Sequence, residues 1–240
     1  MLPSMLFDSW IVIAKEWREW CCVRARSGWS MLILLIIAWS FVAPVLVGGL
    51  ATGPLLIPVM WAALPLVLVG AMMADSIAGE RERQTLETLL ASRLPERAIL
   101  LGKVAAITLL GWLLLFLGSF PGLLQQMVKP TDAAVSPATM SAVLLGVITP
   151  CVVMVVIVGA LVSLYTASAR FALLLTLAFA GFLMVGATVL AVGWVGAHSG
   201  NASATATPLA VIAAGLTLVD AGLLAWLLVA VHRDRLLAIG

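Results

Sequence analysis

The sequence has few charged residues, and this shortage decides its class. Only 10% of its 240 residues are Asp, Glu, Lys or Arg, whereas 63% are hydrophobic and the mean hydropathy is +1.19. Soluble domains carry about 25% charged residues, so the composition excludes an ordinary soluble domain and favours a membrane protein. No segment has the mixed composition of a soluble domain, which predicts a single transmembrane domain over residues 1–240.

Cysteine and histidine are also scarce. The three cysteines, at 21, 22 and 151, have the spacing of neither a disulfide framework nor a metal site. The two histidines cannot supply the serine–histidine pair or the zinc site of an intramembrane protease. The nucleotide-binding motif G-x-x-x-x-G-K-[ST] is absent. The sequence therefore predicts no catalytic, cofactor-binding or metal-binding residues, no enzyme activity of its own and no nucleic-acid partner.

Apolar segments, in contrast, are abundant. About 20 apolar residues cross the hydrocarbon core of a membrane, and a backbone in lipid must satisfy its own hydrogen bonds. The sequence therefore predicts an all-α membrane protein with six transmembrane helices. They cover residues 31–50, 54–74, 104–124, 141–164, 171–195 and 208–231.

The basic residues predict the orientation of these spans. If the N-terminus lies inside, twelve of the 13 Lys and Arg residues fall on the inner side and only Lys129 falls outside. Such an excess is typical of the cytoplasmic face. The sequence predicts a multi-pass protein of the bacterial inner membrane, with both termini cytoplasmic.

The segment before the first span has its own pattern. Within residues 5–26, Leu6, Trp10, Ile13, Ala14, Trp17, Trp20 and Cys21 share one helical face, and Asp8, Lys15, Arg18 and Glu19 lie opposite. This pattern predicts an amphipathic helix in the cytoplasmic headgroup layer of the lipid bilayer. Ile11 and Val12 depart from it. An elbow that merely anchors the first span is the alternative.

Charge is concentrated in residues 75–103, between the second and third spans. Ten of the 24 charged residues lie there. Leucines at helical spacing predict a short amphipathic helix over 79–91. Pro95 and Glu96 suit the start of another helix, which continues through Gly102-Lys103 into the third span. The segment is thus predicted to be a stiff hairpin of two helices in water.

This hairpin resembles the cytoplasmic loop of ABC-2-type transporter permeases. The run GERERQTLETLL from Gly79 to Leu90, followed by Gly102-Lys103, is similar to their pattern E-x-E-x-G-T-L-E-x-L-L-x-x-P and later G-K. The tail Arg233-Asp234-Arg235-Leu236-Leu237 resembles their R-x-R-L-L ending. Gln84 stands where the family usually has glycine, which suggests a more continuous helix. Arg93 stands where it usually has proline, with Pro95 two residues later, which shifts the break between the two helices.

The resemblance implies that residues 75–103 form a coupling loop for a separate cytoplasmic ABC ATPase. This partner would bind ATP and magnesium, and two permeases, as a homodimer or a related pair, would complete an exporter. The implied ATPase contacts are Glu80, Glu82, Thr85, Leu86, Glu87 and Leu90. Family members export sodium, drugs, lipids, polysaccharides, or haem- and copper-related compounds, and the short outer loops select none of these. The alternative for the loop is a solvated surface with pairs such as Arg83 with Glu87.

One acidic residue, Asp220, lies well inside a predicted span. A carboxylate near the membrane centre costs about 2.5–3.5 kcal/mol on insertion scales, so its presence needs a reason. Asp220 is either a polar site on the substrate pathway or a structural aspartate bonded to a neighbouring helix.

Two other functions compete with an exporter. A membrane anchor that recruits an ATPase without transporting anything would have the same coupling loop. A secondary transporter typically has inverted repeats and several buried ionisable groups, and neither is evident here.

Overall fold

The computed structural model describes residues 2–18, 34, 37–39, 41–42, 56–82, 95–128, 143–166, 168–198 and 206–230. Within these residues the chain is almost entirely helical and contains no strand, which confirms the all-α prediction. The helices are α1 Leu2–Arg18, α2 Leu56–Glu82, α3 Glu96–Val128, α4 Thr149–Tyr165, α5 Ala169–His198 and α6 Ala206–Ala230. A π-helical turn, Leu144–Ile148, leads directly into α4.

Five of the predicted spans are present as long apolar helices. Within the described part of the chain, the segments able to cross a membrane are Val59–Glu80, Arg97–Phe120, Leu144–Tyr165, Ala169–Ala187 and Ala210–Ala230. They correspond to the second to sixth predicted spans and lie in α2 to α6. Most of the first predicted span, 31–50, lies outside the described residues. Its six described residues are helical, and this first span, and with it the count of six, stays a prediction.

The boundaries around the charged segment differ from the prediction. α2 does not end near residue 74 but continues to Glu82, and α3 begins at Glu96. Alanine, glutamate and arginine are good helix formers, so the helix continues past the apolar residues into polar surroundings. As predicted, one helix runs from Glu96 through Gly102-Lys103 into the third span. The amides of Ala98 and Ile99 donate to the Pro95 carbonyl, which places Pro95 just before the first helical residue.

The predicted helix over 79–91 is described only in part. Residues 79–82 belong to α2 and do not start a helix of their own. Residues 83–94 lie outside the described residues, so the rest of the predicted coupling helix stays a prediction.

The interior of the bundle is formed by α2, α3 and α4. α2 packs against α3, α4 and α5, and α4 joins this group to α6. Side chains such as Val69 of α2, Leu115 of α3 and Val152 of α4 are fully buried in one cluster. In lipid this packing is driven by close van der Waals fit, because apolar side chains gain little by leaving an apolar solvent.

Glycines allow this close fit. A Cβ atom on Gly111 of α3 would lie 2.7 Å from Val69 and 2.8 Å from Val152, so three helices meet at its bare backbone. Gly159 of α4 faces Met73 and Thr176 in a similar way, with a Cβ at 3.2 and 3.1 Å. Small residues at helix contacts are typical of membrane bundles.

The helices α5 and α6 lie at the outside of the bundle. Large apolar side chains cover their exposed faces, among them Phe182 and Val189 on α5 and Leu218 and Val229 on α6. Gly181 and Gly186 of α5, and Gly215 and Gly222 of α6, have open space where a side chain would be. Such faces suit contact with lipid or with a second copy of the chain.

Candidate functional site

The polar side chains that join different helices gather at one end of the bundle. We call it the loop end, because α2 ends there with Glu82 and α3 begins there with Glu96. At its centre is Lys103 of α3, whose side chain is 4% exposed. Its Nζ donates to Glu80 Oε1 of α2 at 2.8 Å and to the Ser76 carbonyl at 3.0 Å, and it lies 3.3 Å from Glu16 Oε1 of α1. One buried ammonium group therefore joins three helices.

Gly102, the neighbour of Lys103, lets α1 approach α3. A Cβ on Gly102 would lie 2.6 Å from Val12 Cβ and 3.0 Å from the Ser9 carbonyl, closer than side chains tolerate. Gly102 thus lets α1 pack closely, and Lys103 supplies the positive charge that faces Glu16. Without either residue the contact between α1 and α3 would be weaker.

The packing of α1 explains one of the two residues that departed from its amphipathic pattern, Val12, but not Ile11. Ser9, Val12 and Glu16 are buried against the bundle, whereas Trp10, Ile11 and Arg18 are exposed. α1 therefore has a third face, directed at α3, between the predicted apolar and polar faces. Residues 19–26 of the predicted interfacial helix lie outside the described residues.

Glu82, the last residue of α2, contacts the beginning of α5. Its Oε1 accepts a hydrogen bond from the Ala169 amide at 2.7 Å. Ala169 is the first residue of α5, so this amide has no partner within its own helix. The Ser168 hydroxyl accepts from the Phe171 amide at 3.3 Å. A carboxylate is favourable here because the N-terminus of a helix carries partial positive charge.

Ser163 joins α4 to α2 close to the same end. Its hydroxyl accepts from the Ala78 amide at 2.8 Å and donates to the Ala74 carbonyl at 3.1 Å, and its side chain is fully buried. Ala74 and Ala78 are four residues apart, so the serine lies between two groups that normally pair within a helix. A side chain placed in this way is a known cause of helix bending.

The structure brings together only part of the predicted site. Glu80 and Glu82 lie at the loop end, where Glu80 is half-buried against Lys103 and Glu82 is exposed beside α5. The other four predicted contacts, Thr85, Leu86, Glu87 and Leu90, lie outside the described residues. Nothing in the described structure tests their contact with an ATPase, and this stays a prediction.

Asp220 is placed elsewhere, on the side of α6 that faces α4 and the π-helical turn. It is 8% exposed, and its Oδ1 is buried without a hydrogen-bond partner among the described residues. The contact begins two turns earlier, where a Cβ on Gly146 would lie 3.5 Å from Ala213. The structural alternative, an aspartate bonded to a neighbouring Ser or Thr, finds no such bond to Oδ1 in this part of the chain.

Sequence reasoning missed three residues of the loop end. Lys103 was recognised only as half of a motif, Glu16 only as part of the N-terminal segment, and Ser163 not at all. For Lys103 a signal existed, since it is a charge among apolar neighbours in its helix, whereas Glu16 lies among other charged residues. Ser163 is the only serine in α4, but a serine alone does not indicate its partner.

Residues 52–226, well over half of the chain, match the model of a family described as ABC-2 family transporter protein. The match includes the loop end and continues into α6. No curated protein matches the chain.

Proposed function

Because the chain belongs to the ABC-2 transporter family, and is thus the multi-pass membrane subunit of an ABC transporter, we propose that it is the permease of an ATP-driven exporter. A separate cytoplasmic ATPase binds ATP and magnesium, since the chain has no G-x-x-x-x-G-K-[ST] motif and no catalytic residues of its own. A second permease, identical or related, completes the pathway. The loop end faces the cytoplasm of a bacterial inner membrane, as the basic residues predict.

One observation carries this proposal. The segment 79–97 is attached at both ends to continuous spanning helices, α2 of 27 residues and α3 of 33 residues. Residues 79–82 belong to α2 and residues 96–97 belong to α3, so a displacement of either end of the segment acts directly on a spanning helix. Lys103 further links α2, α3 and α1 at the point where this displacement acts.

The mechanism is alternating access. Closure of the ATPase dimer on ATP displaces residues 79–97, and the attached helices tilt until the central pathway opens outward. Glu80, Glu82, Thr85, Leu86, Glu87 and Leu90 are the candidates for ATPase contact. Leucines would fill a groove on the ATPase, and carboxylates would pair with basic residues at its rim, which sets the register more than the affinity. Asp220 is proposed as a polar site on the pathway.

The test is capture of the ATPase by the permease. A candidate ABC-type ATPase of the same organism, sought first among the neighbouring genes, is co-expressed with the permease. The permease is the wild type, Leu86→Asp, or the control Val135→Asp in the segment between the third and fourth spans. We expect the ATPase to co-purify with the wild type and the control, and at least tenfold less with Leu86→Asp. Equal capture by all three would contradict the proposed coupling surface.

A second measurement separates the exporter from a membrane anchor that only recruits an ATPase. ATP with orthovanadate is added to the purified complex, and hydrogen–deuterium exchange is followed in α2 and α3. An exporter changes its exchange in both helices when nucleotide is trapped. An anchor captures the ATPase with no such change, and a secondary transporter captures none.

A further inference from the structure

We propose that Glu82 is a positioning residue that transmits displacement of the coupling loop to α5 through the amide of Ala169. This inference rests on the proposed function and assigns a separate task to one of its candidate contacts. The first observation is how the backbone connects the coupling loop to the helices. Residues 79–97 are joined directly through the backbone to α2 and α3, whereas α5 follows only after α4 and is reached from this segment through side-chain contacts.

The contact lies where such a transmission is needed. Glu82 is the last described residue of α2 before the loop, and Ala169 is the first residue of α5. The 2.7 Å hydrogen bond between them joins the two helices at their ends, 87 positions apart in sequence. A carboxylate that accepts an amide N–H makes a short, directional bond. The bond therefore ties the Glu82 carboxylate to both the position and the orientation of the N-terminal end of α5.

The first turn of α5 leaves its first amide available for an acceptor from another helix. Ser168 satisfies the Phe171 amide, and the Ala172 amide donates to the Ser168 carbonyl at 3.1 Å, so the first turn is closed. The Ala169 amide is left for a group from outside the helix, and Glu82 supplies it. α2 and α5 also pack closely along the bundle, where Gly70 lies against Thr176. A displacement applied at Glu82 thus acts on a helix that already lies alongside α2.

Glu80 has a different task, although it lies only two residues away. Its carboxylate binds Lys103 and so joins α2 to α3, a helix that the loop already controls through the backbone. The two carboxylates of the motif therefore serve different helices. Glu80 binds Lys103 of α3, and Glu82 binds the first amide of α5.

The experiment uses the complete permease–ATPase complex in lipid nanodiscs. An environment-sensitive bimane label is attached at Val189→Cys on the exposed face of α5, or at Leu124→Cys on α3, with Cys21, Cys22 and Cys151 replaced by alanine. Both reporters lie far from the loop end along their helices. The probe is ATP with orthovanadate, and the signal is the change in bimane emission on trapping.

The variants remove the bond from either side. Glu82→Ala removes the acceptor, and Ala169→Pro removes the donor at the first position of a helix, where proline is tolerated. We expect each to reduce the emission change at Val189→Cys by at least half, with no further loss in the double variant. Glu82→Gln keeps an acceptor oxygen and should restore most of the signal. Ser76→Ala removes a hydroxyl that donates to the Met73 carbonyl within α2 and should leave the α5 signal unchanged. The α3 signal should persist in all variants.

The outcomes are distinguishable. Reduced capture of the ATPase by Glu82→Ala would assign this residue to the partner interface and overturn the inference while supporting the proposed function. An unchanged α5 signal in Ala169→Pro, or additive losses in the double variant, would also overturn it. A wild-type complex that fails to assemble, or that shows no nucleotide response at either reporter, would overturn the proposed function and this inference with it.

Discussion

The inner helices α2, α3 and α4 and the outer helices α5 and α6 are all apolar enough to span a membrane, yet they are used differently. In their most apolar stretches the inner three have 56%, 67% and 56% of residues buried within the chain, whereas α5 and α6 have 17% and 11%. Glycine provides close contacts in the first group and lies in open space in the second. Hydropathy identifies the spans, but only packing separates the interior from the surface that meets lipid or a second copy.

The largest expected effect concerns the one buried carboxylate on an outer helix. A buried acceptor without a partner costs about 1–3 kcal/mol in the folded state. Asp220→Leu removes such a group, since its Oδ1 lacks a partner among the described residues, and should raise the free energy of unfolding by up to about that amount. Unfolding of the purified permease in bicelles measures this gain. Thr217→Leu on the exposed face of the same helix is the control and should change little.

The variant Asp220→Asn tests whether this carboxylate is needed for transport. If the carboxylate belongs to the pathway, this variant assembles with its ATPase but transports less in proteoliposomes. A loss of stability in Asp220→Leu would show that the aspartate has a partner beyond the described residues. Full transport by Asp220→Asn would leave only a structural role.

The next effect contrasts an inner glycine with an outer one. Gly111→Ala forces a Cβ against Val69 and Val152, and such overpacking costs about 1–3 kcal/mol. Gly215→Ala meets open space and should be neutral or slightly stabilising, because alanine favours a helix. The same unfolding assay compares the two. Equal destabilisation by both variants would mean that α6 is packed against a second copy at Gly215.

The smallest effect is expected for a hydroxyl group. Ser163→Ala removes the bonds to Ala74 and Ala78, and interhelical hydrogen bonds in membranes average about 0.6 kcal/mol. Ser119 is equally buried but donates to the Phe116 carbonyl of its own helix at 3.2 Å. Ser119→Ala should therefore cost less than Ser163→Ala. The reverse order would show that the contact between α2 and α4 does not depend on Ser163.

Local features of the sequence were predictable, and contacts between helices were not. The second to sixth spans and the start of α3 at Glu96 follow from hydropathy and from proline chemistry. The sequence predicts that the second span ends near residue 74, before the first charged residues, whereas α2 continues to Glu82. The close contacts between helices at Gly70, Gly111 and Gly159 were not predicted.

The candidate site was predictable in its location but not in its bonds. Charge density marked residues 75–103, and Glu80 and Glu82 do lie at the end of the bundle. No pattern indicated that the two carboxylates turn to different helices. Their directions depend on how α2, α3 and α5 pack, and side chains two residues apart on a helix point to different sides.

The sequence by itself determined that this protein is a helical membrane protein, where most of its spans lie and to which family it belongs. These properties depend on hydropathy and on short motifs, which act locally. Only the tertiary structure decided which carboxylate meets Lys103, which meets the first amide of α5, and which hydroxyl joins α4 to α2. The partners in these contacts are 23, 87 and 85 residues apart, and helical periodicity carries no information over such distances.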